Sequence, residues 1–294
     1  MHVVEVSQAT ALIRFENGCL AISTPERRSV RVPLAEVGTL VLSSPQSSCT
    51  VAALAALAAT GTSVIVCDHR MRPAGMMLPF REHSEVASRI QKQTSAKDRQ
   101  KQRIWKSLIQ SKIAGQASVL AEMTGSDYGL LRASKRVRVG DPDNTEARAA
   151  KRYWRKLFGT GFRRRRGADI PNKMLDYSYA ILRSAVVRGI CVAGLHPSLG
   201  IHHHNRANAF ALADDLIEPF RPAADLVVAR ITQGNAATQE LTPSIKRSLV
   251  ACLEFPITFE GKQRSVRDAI GHTCSSLAGV FLGEREKLSL PWIG

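Results

Sequence analysis

The sequence predicts an α+β protein in which a small N-terminal β-rich domain over residues 1–84 is followed by a larger all-α domain over residues 85–294. Three observations point there. Short β-branched runs broken by polar turns fill the first eighty residues, and long segments with apolar residues three and four apart fill the rest. Pro73, Gly75 and Pro79 punctuate the change of pattern. The charge also shifts, from six Lys/Arg against five Asp/Glu in residues 1–80 to 35 against 20 in the remaining 214 residues. At 294 residues, 44% hydrophobic and 22% charged, the chain is globular in composition and long enough for two cores.

The elements follow in order. Val3–Val6, Ala11–Phe15, Cys19–Ser23, Ser29–Pro33 and Thr39–Leu42 read as short strands, with breaks such as Glu16-Asn17-Gly18 that suit a small sheet built of hairpins. The uncharged run from Thr50 to Cys67 is cut by Thr60-Gly61-Thr62-Ser63, so it reads as a short Ala/Leu helix and a strand over Ser63–Cys67. A membrane span needs about 20 apolar residues, so none is expected here. From Val86 onward the spacing of Ile104, Leu108, Ile109 and Ile113, and later of Leu175, Tyr179 and Leu182, predicts helices. Arg136–Val139 alternates, but a turn at Gly140-Asp-Pro-Asp143 follows it. Asn144-Thr145-Glu146 then looks like a capped helix start, with Glu146 in the first turn of a helix running to about Phe158. There is no internal repeat and no low-complexity tract.

A net charge of +16 predicts a polyanionic partner. Nine Lys/Arg and no acid lie between Arg148 and Arg166, and twelve basic residues face three acidic ones between Arg89 and Arg138. Each stretch alone suits a solvated helix face. Together they match the requirement of neutralising several phosphates at once, which makes Arg148, Arg152, Arg155, Arg163, Arg164, Arg165 and Arg166 candidate nucleic-acid contacts. An anionic membrane surface is disfavoured, because no lipidation motif or amphipathic face with interfacial Trp is present. Six scattered cysteines without a C-x-x-C pair or a signal peptide read as buried thiols in a reducing cytoplasm.

The chemistry-bearing segment is Gly194–Pro222, where His202-His203-His204 precedes Asp214, Asp215 and Glu218. Asp215 and Glu218 are spaced i, i+3 and Asp214 and Glu218 i, i+4, so either pair can share a helix face. Phe210, Leu212, Leu216 and Phe220 would hold the segment in the core, with the acids at its rim. Clustered carboxylates beside imidazole repel one another unless a proton or a cation sits among them. Oxygen and nitrogen donors without thiolates suit Mn²⁺ or Mg²⁺ rather than structural zinc. Taken singly, Asp214, Asp215 or Glu218 is better explained as a surface acid or an ion-pair partner of Arg206 or Arg221, and Glu146 as an acid at a helix N-terminus. His69 beside Asp68 suits a structural role at a strand end. No G-x-S-x-G elbow, P-loop or dinucleotide fingerprint is present. Cys191 sits in an apolar run that suits an inert thiol, and the glycines flanking that run, Gly189 and Gly194, suit close packing.

Three blocks carry a resemblance: Glu146–Trp154, Asn172–Leu182, and Gly194-Leu-His-Pro-Ser-Leu-Gly200 running into the histidines and Asp215–Pro222. In order and spacing they resemble the CRISPR-associated endonuclease/integrase family of the spacer-acquisition machinery, over nearly the full length. In that family one Glu opens a helix that continues with small residues and an aromatic, one His follows the GL-x-P-x-x-G turn, and a D-L-x-E helix completes the metal site. By position these are Glu146, His203 and Glu218, with Asp215 beside them. The family interval of fifteen residues from the His to the last acid selects His203 over His202 and His204. Many relatives show a single His and a basic, Ser-containing loop, whereas this chain has His-His-His-Asn-Arg-Ala-Asn-Ala-Phe, which resembles the form in systems with one large effector nuclease.

The resemblance implies a metal-dependent enzyme that joins short foreign DNA into a CRISPR repeat array, by attack of a 3′-hydroxyl on a phosphodiester. Glu146, His203 and Glu218 would hold Mg²⁺ or Mn²⁺, and Asp215 would orient His203 or hold a water. It further implies a homodimer formed through the N-terminal domain and a small second protein bridging two dimers. The expected substrates are duplex DNA with single-stranded 3′ ends and CRISPR repeat DNA. The large effector nuclease is a further partner class that the resemblance allows. The rival readings are a nuclease repairing branched DNA or RNA and a DNA-binding scaffold without catalysis of its own.

Overall fold

The computed structural model describes residues 2–7, 10–25, 27–68, 73–77, 85–234 and 240–292. His69 lies outside them. The chain divides into two units, Met1–Ser84 and Glu85–Gly294.

The first unit contains two four-stranded sheets. Strands β1 (His2–Val6), β2 (Leu12–Glu16), β3 (Cys19–Thr24), β4 (Arg27–Pro33) and β5 (Val37–Leu42) match the five expected runs, and β6 (Ser48–Cys49) adds a short sixth. Helix α1 (Val51–Ala59) and strand β7 (Ser63–Cys67) divide the uncharged run as its sequence suggests, and β8 (Pro73–Met77) follows. Strands β2 to β4 are joined as hairpins, and Asn17 and Gly18 take the left-handed conformations that a tight turn requires.

The hairpin expectation fails for the other sheet, ordered β1-β5-β7-β8, where β1 and β7 both pair with β5 in parallel. Parallel neighbours need crossovers, and the β2–β4 meander and α1 supply them. Val37, Leu40, Val41, Val64 and Ile65 are buried along the central strands, the continuous apolar pattern of a sheet covered on both faces.

The second unit is mostly helical. Its helices are α2 (Val86–Thr94), α3 (Asp98–Thr124), α4 (Leu130–Lys135), α5 (Thr145–Leu157), α6 (Ile170–Val192), α7 (Ala211–Leu216), α8 (Arg221–Gly234), α9 (Pro243–Val250) and α10 (Val266–Leu282). A sheet that periodicity did not announce joins β9 (Pro256–Phe259), β10 (Lys262–Ser265) and β11 (Pro291–Trp292). Its β9–β10 turn uses Glu260 and Gly261, both at positive φ. Arg136–Val139 forms no strand but the turn after α4.

Helix α3, about 40 Å long by its 27 residues, is the spine of this unit. It buries Ile104, Leu108, Ile109 and Ile113 and packs against α4, α5 and α8. Helix α6 packs on α8 and α10. A Cβ on Gly189 would stand 2.9 Å from Cys274 Sγ, so this glycine permits the close α6–α10 approach. Of the six cysteines, none in a disulfide, Cys67, Cys252 and Cys274 are buried, while Cys19, Cys49 and Cys191 are only half-buried. No helix among the described residues is long and apolar enough to cross a membrane.

Candidate functional site

Five elements of the second unit converge on one spot: the middle of α3, the start of α5, the loop over residues 194–210, α7, and the 3-10 turn Glu218–Phe220 that leads into α8. Each is held by a local device. Asn144 precedes α5 at φ 50° without a capping bond, so the expected cap is not the one used. Instead the Asp141 carboxylate accepts from Thr145 N and Glu146 N, each at 2.9 Å, and fixes Glu146 in the first turn. The Gly194–Gly200 turn is stitched by the buried Gln93 amide, which donates to His196 O (3.0 Å) and Leu199 O (2.9 Å) and accepts from His196 N (2.9 Å).

Asp215 organises the histidine loop. It is fully buried, and its carboxylate accepts from Ile201 N (2.6 Å), His202 N (3.0 Å) and His203 N (3.3 Å). His203 Nδ1 also lies 2.6 Å from Asp215 Oδ1. That bond raises the His203 pKa above its ordinary value, against the lowering effect of burial, and leaves Nε2 as the ring nitrogen turned away from Asp215. Gly200 is required here, because a Cβ would stand 2.3 Å from His203 O. The His202 ring stacks on Trp105 with centroids 4.1 Å apart, and His204 is exposed. His203 alone of the three turns its ring to Asp215.

The remaining acids separate by partner. Asp214 is held by Arg183, Nη2 to Oδ2 at 2.8 Å, and by Asn208 at 2.7 Å, not by Arg206 or Arg221. Glu146 Oε1 and Glu218 Oε2 each lie 2.6 Å from Lys112 Nζ, and Glu218 Oε1 lies 3.0 Å from Arg221 Nε. Asp215 and Glu218 are both buried rather than at the rim the sequence suggested, because the 3-10 turn carries Glu218 inward beside Phe220.

Burial would raise the Glu218 pKa, but Arg221 and Lys112 outweigh it and hold the carboxyl below the usual glutamate value. Burial likewise opposes the Lys112 charge, yet Glu218 and Glu146 leave its pKa above the ordinary lysine value. Seven residues after Glu218, Asp225 is buried and accepts from Tyr153 (3.0 Å) and Tyr179 (2.5 Å). Burial pushes its pKa up to about 7, although both hydroxyls pull the other way.

Glu146, Glu218, His203 and Asp215 are thus brought to one neighbourhood, with the charges of His203 and Glu218 acting on each other. Among the described residues, no group of three His, Cys, Asp or Glu side chains stands close enough together to hold a metal ion. Two carboxylates from separate elements nevertheless converge on a single cation, and an imidazole lies beside them. That donor set fits a hard divalent ion such as Mg²⁺ or Mn²⁺.

Nothing in the motif pattern marks Lys112, Arg221, Gln93 or Asp141 as site residues. By sequence Lys112 belongs to the basic tract running from Arg89, but its side chain is 12% exposed and turned to the two glutamates. Its position was a usable signal: it lies three and four residues after Ile109 and Leu108, on the buried stripe of α3.

The candidate nucleic-acid residues divide as well. Arg148, Arg152 and Arg155 are exposed along α5 and, with Lys151, Lys156, Gly159 and Thr160, line a cavity of about 510 Å³. Arg163, Arg165 and Arg166 are exposed. Arg164 departs from the expectation: it turns inward to Asn172 (2.9 Å) and Asp176 (2.5 Å) and lies over the Tyr179 ring.

A family model described as "CRISPR associated protein Cas1" matches residues 4–246. The CRISPR-associated endonuclease Cas1 of Neisseria meningitidis serogroup C (strain 8013) is 36% identical over 266 residues, covering 89% of this chain and 87% of the relative. A casposase bound to its integration product shares the fold at TM-score 0.80 with 20% identity, covering 98% of this chain and 92% of that one. A Cas1 protein from Thermotoga maritima superposes at TM-score 0.78 with 16% identity, covering 96% of this chain and 97% of that one.

Proposed function

Since the chain belongs to the Cas1 family of CRISPR-associated endonucleases, we propose that it is a metal-dependent DNA endonuclease and integrase that joins short foreign DNA to CRISPR repeat DNA by transesterification. The observation that carries this reading is the convergence of Glu146 and Glu218 on one cation beside His203. Glu146, His203 Nε2 and Glu218 would hold Mg²⁺ or Mn²⁺. When bound, such an ion stabilises charge developing on a phosphate oxygen and lowers the pKa of an oxygen nucleophile.

The chain's own residues do the rest. Asp215 holds the imidazole by Nδ1, so that Nε2 keeps one direction through the reaction. Arg221 keeps Glu218 ionised at depth. The exposed arginines of α5 and of residues 163, 165 and 166 bind phosphates and hold the backbone in register, without reading bases. Attack by a DNA 3′-hydroxyl joins strands, and attack by water nicks them. Because one phosphodiester replaces another, joining needs no nucleotide hydrolysis.

Neighbours in solved structures include a Cas1 bound to DNA and a complex titled Cas6-RT-Cas1–Cas2. These support DNA and a second CRISPR-associated protein as partners, and a homodimer formed through the first unit is part of the same proposal. Glu146→Ala, His203→Ala and Glu218→Ala should each abolish strand transfer on a supercoiled repeat plasmid while duplex binding persists. Full joining by all three purified variants would exclude the site. The Lys112 ion pair favours one second reading, a DNA-binding scaffold with structural carboxylates, and such a scaffold would show no manganese-stimulated cutting or joining by the protein alone.

A further inference from the structure

Lys112 is oddly placed for a residue of a basic, phosphate-binding chain. It rises from the buried stripe of α3, its side chain is 12% exposed, and its ammonium group is directed at Glu146 Oε1 and Glu218 Oε2, both at 2.6 Å. The two contacts are not equivalent. The one to Glu146 is an aligned hydrogen bond. Glu218 Oε2, on the more deeply buried of the two carboxylates, meets the same ammonium group as an ion pair. A buried carboxylate left without a partner is expensive, and the lysine supplies one.

We propose that Lys112 is the internal counter-cation of this carboxylate pair, and that a divalent ion binds by displacing its ammonium group from Glu146 and Glu218. The inference rests on the metal-site reading above and adds a competitor to it. A buried glutamate and a partly exposed one from separate elements repel each other, and one positive charge between them holds α3, α5 and the Glu218 turn together. A divalent ion on the same oxygens brings twice the charge and closer contacts, and it repels an ammonium group at that distance, so the two cations exclude one another. Metal affinity is therefore set by a difference: ligation minus the ion pair that must be broken. The flexible four-carbon stem lets the ammonium move while α3 stays packed through Leu108, Ile109 and Ile113.

The test is Mn²⁺ binding to the full-length protein by titration calorimetry, with thermal melts in chelator and in Mn²⁺. Lys112→Met keeps the volume of the stem and removes the charge. It is expected to melt several degrees lower than wild type in chelator, to bind Mn²⁺ at least about tenfold more tightly, and to gain more melting temperature on Mn²⁺ addition. Lys112→Arg keeps a cation with a stiffer two-pronged grip on both carboxylates. It is expected to restore the melting temperature in chelator and to bind Mn²⁺ more weakly than wild type, so the inference stays testable even where the Met variant does not fold. Equal or weaker Mn²⁺ binding by Lys112→Met, or equal or tighter binding by Lys112→Arg, overturns the displacement while leaving the metal site standing. No Mn²⁺ binding by wild type or either variant, or binding unaffected by Glu146→Ala, overturns the metal site and the displacement together.

Discussion

Glu218 and Asp225 are two carboxylates of the same short stretch, both buried, and their surroundings shift their pKa values in opposite directions. Glu218 meets Lys112 and Arg221 and is held below the usual glutamate pKa. Asp225 meets two tyrosine hydroxyls, and burial pushes its pKa up to about 7. Depth is common to both, so the partners decide. Full charges keep a buried acid ionised and ready for a cation, whereas neutral hydroxyls make it a fixed packing element between α5, α6 and α8.

The comparison breaks most visibly by neutralising each acid in turn. Glu218→Gln should lower strand transfer by three orders of magnitude or so, the scale typical of losing a charge-stabilising group. It should also cost about 3–5 kcal/mol in stability, because Lys112 and Arg221 lose a buried partner. Asp225→Asn should leave joining within a few-fold of wild type. A large loss of joining in the Asn variant, with the fold intact by circular dichroism, would merge the two roles.

Stability against pH sharpens the contrast, because the two acids contribute slopes of opposite sign. The depressed Glu218 pKa adds stability that is present above the unfolded glutamate value, 4.5, and is lost as pH falls through the folded one. The raised Asp225 pKa means that the fold holds a proton the unfolded chain gives up above 3.8. Its contribution is present below 3.8 and is lost as pH rises toward about 7, at no more than ~1.4 kcal/mol per pH unit. Denaturant melts of Asp225→Asn from pH 4 to 7 should lack that decline.

Asp215 comes next in size. Asp215→Asn should reduce joining by about 10–100-fold, the usual scale for a residue that orients a ligand, and return the His203 pKa toward its ordinary value, readable by NMR. The smallest effect separates the arginines. Arg163→Ala, Arg165→Ala and Arg166→Ala should each flatten the salt dependence of DNA binding by roughly one unit of slope. Arg164→Ala should instead lower the melting temperature, since its partners are Asn172, Asp176 and the Tyr179 ring.

Legibility in the sequence followed how local the determinant was. The five N-terminal strand runs, the α1–β7 division and the long α3 are written in neighbouring residues, and the pattern gives them away. The parallel pairing of β1, β5 and β7 is not local, since it depends on which strands the crossovers bring side by side. In the site, motif order led to Glu146, His203, Asp215 and Glu218, and the loop geometry distinguishes His203 by its hydrogen bond to Asp215. What stayed hidden were the partners from distant segments: Lys112 on α3, and Gln93 reaching across about a hundred residues to the Gly194–Gly200 turn. A lysine in a basic tract reads as a surface charge until its place on a buried stripe is counted.

Helix α5 bears Glu146 in its first turn and Arg148, Arg152 and Arg155 along its exposed length, all on one rigid rod. At about 1.5 Å per residue, the last of these arginines stands some 13 Å from the glutamate. On the proposed reaction, a strand gripped by the rod could not creep along it without dragging the bond to be exchanged away from the acid, so the helix would work as a built-in gauge. Inserting one residue between Glu146 and Arg148 would swing the whole row of guanidinium groups by about 100° and put gauge and blade out of phase.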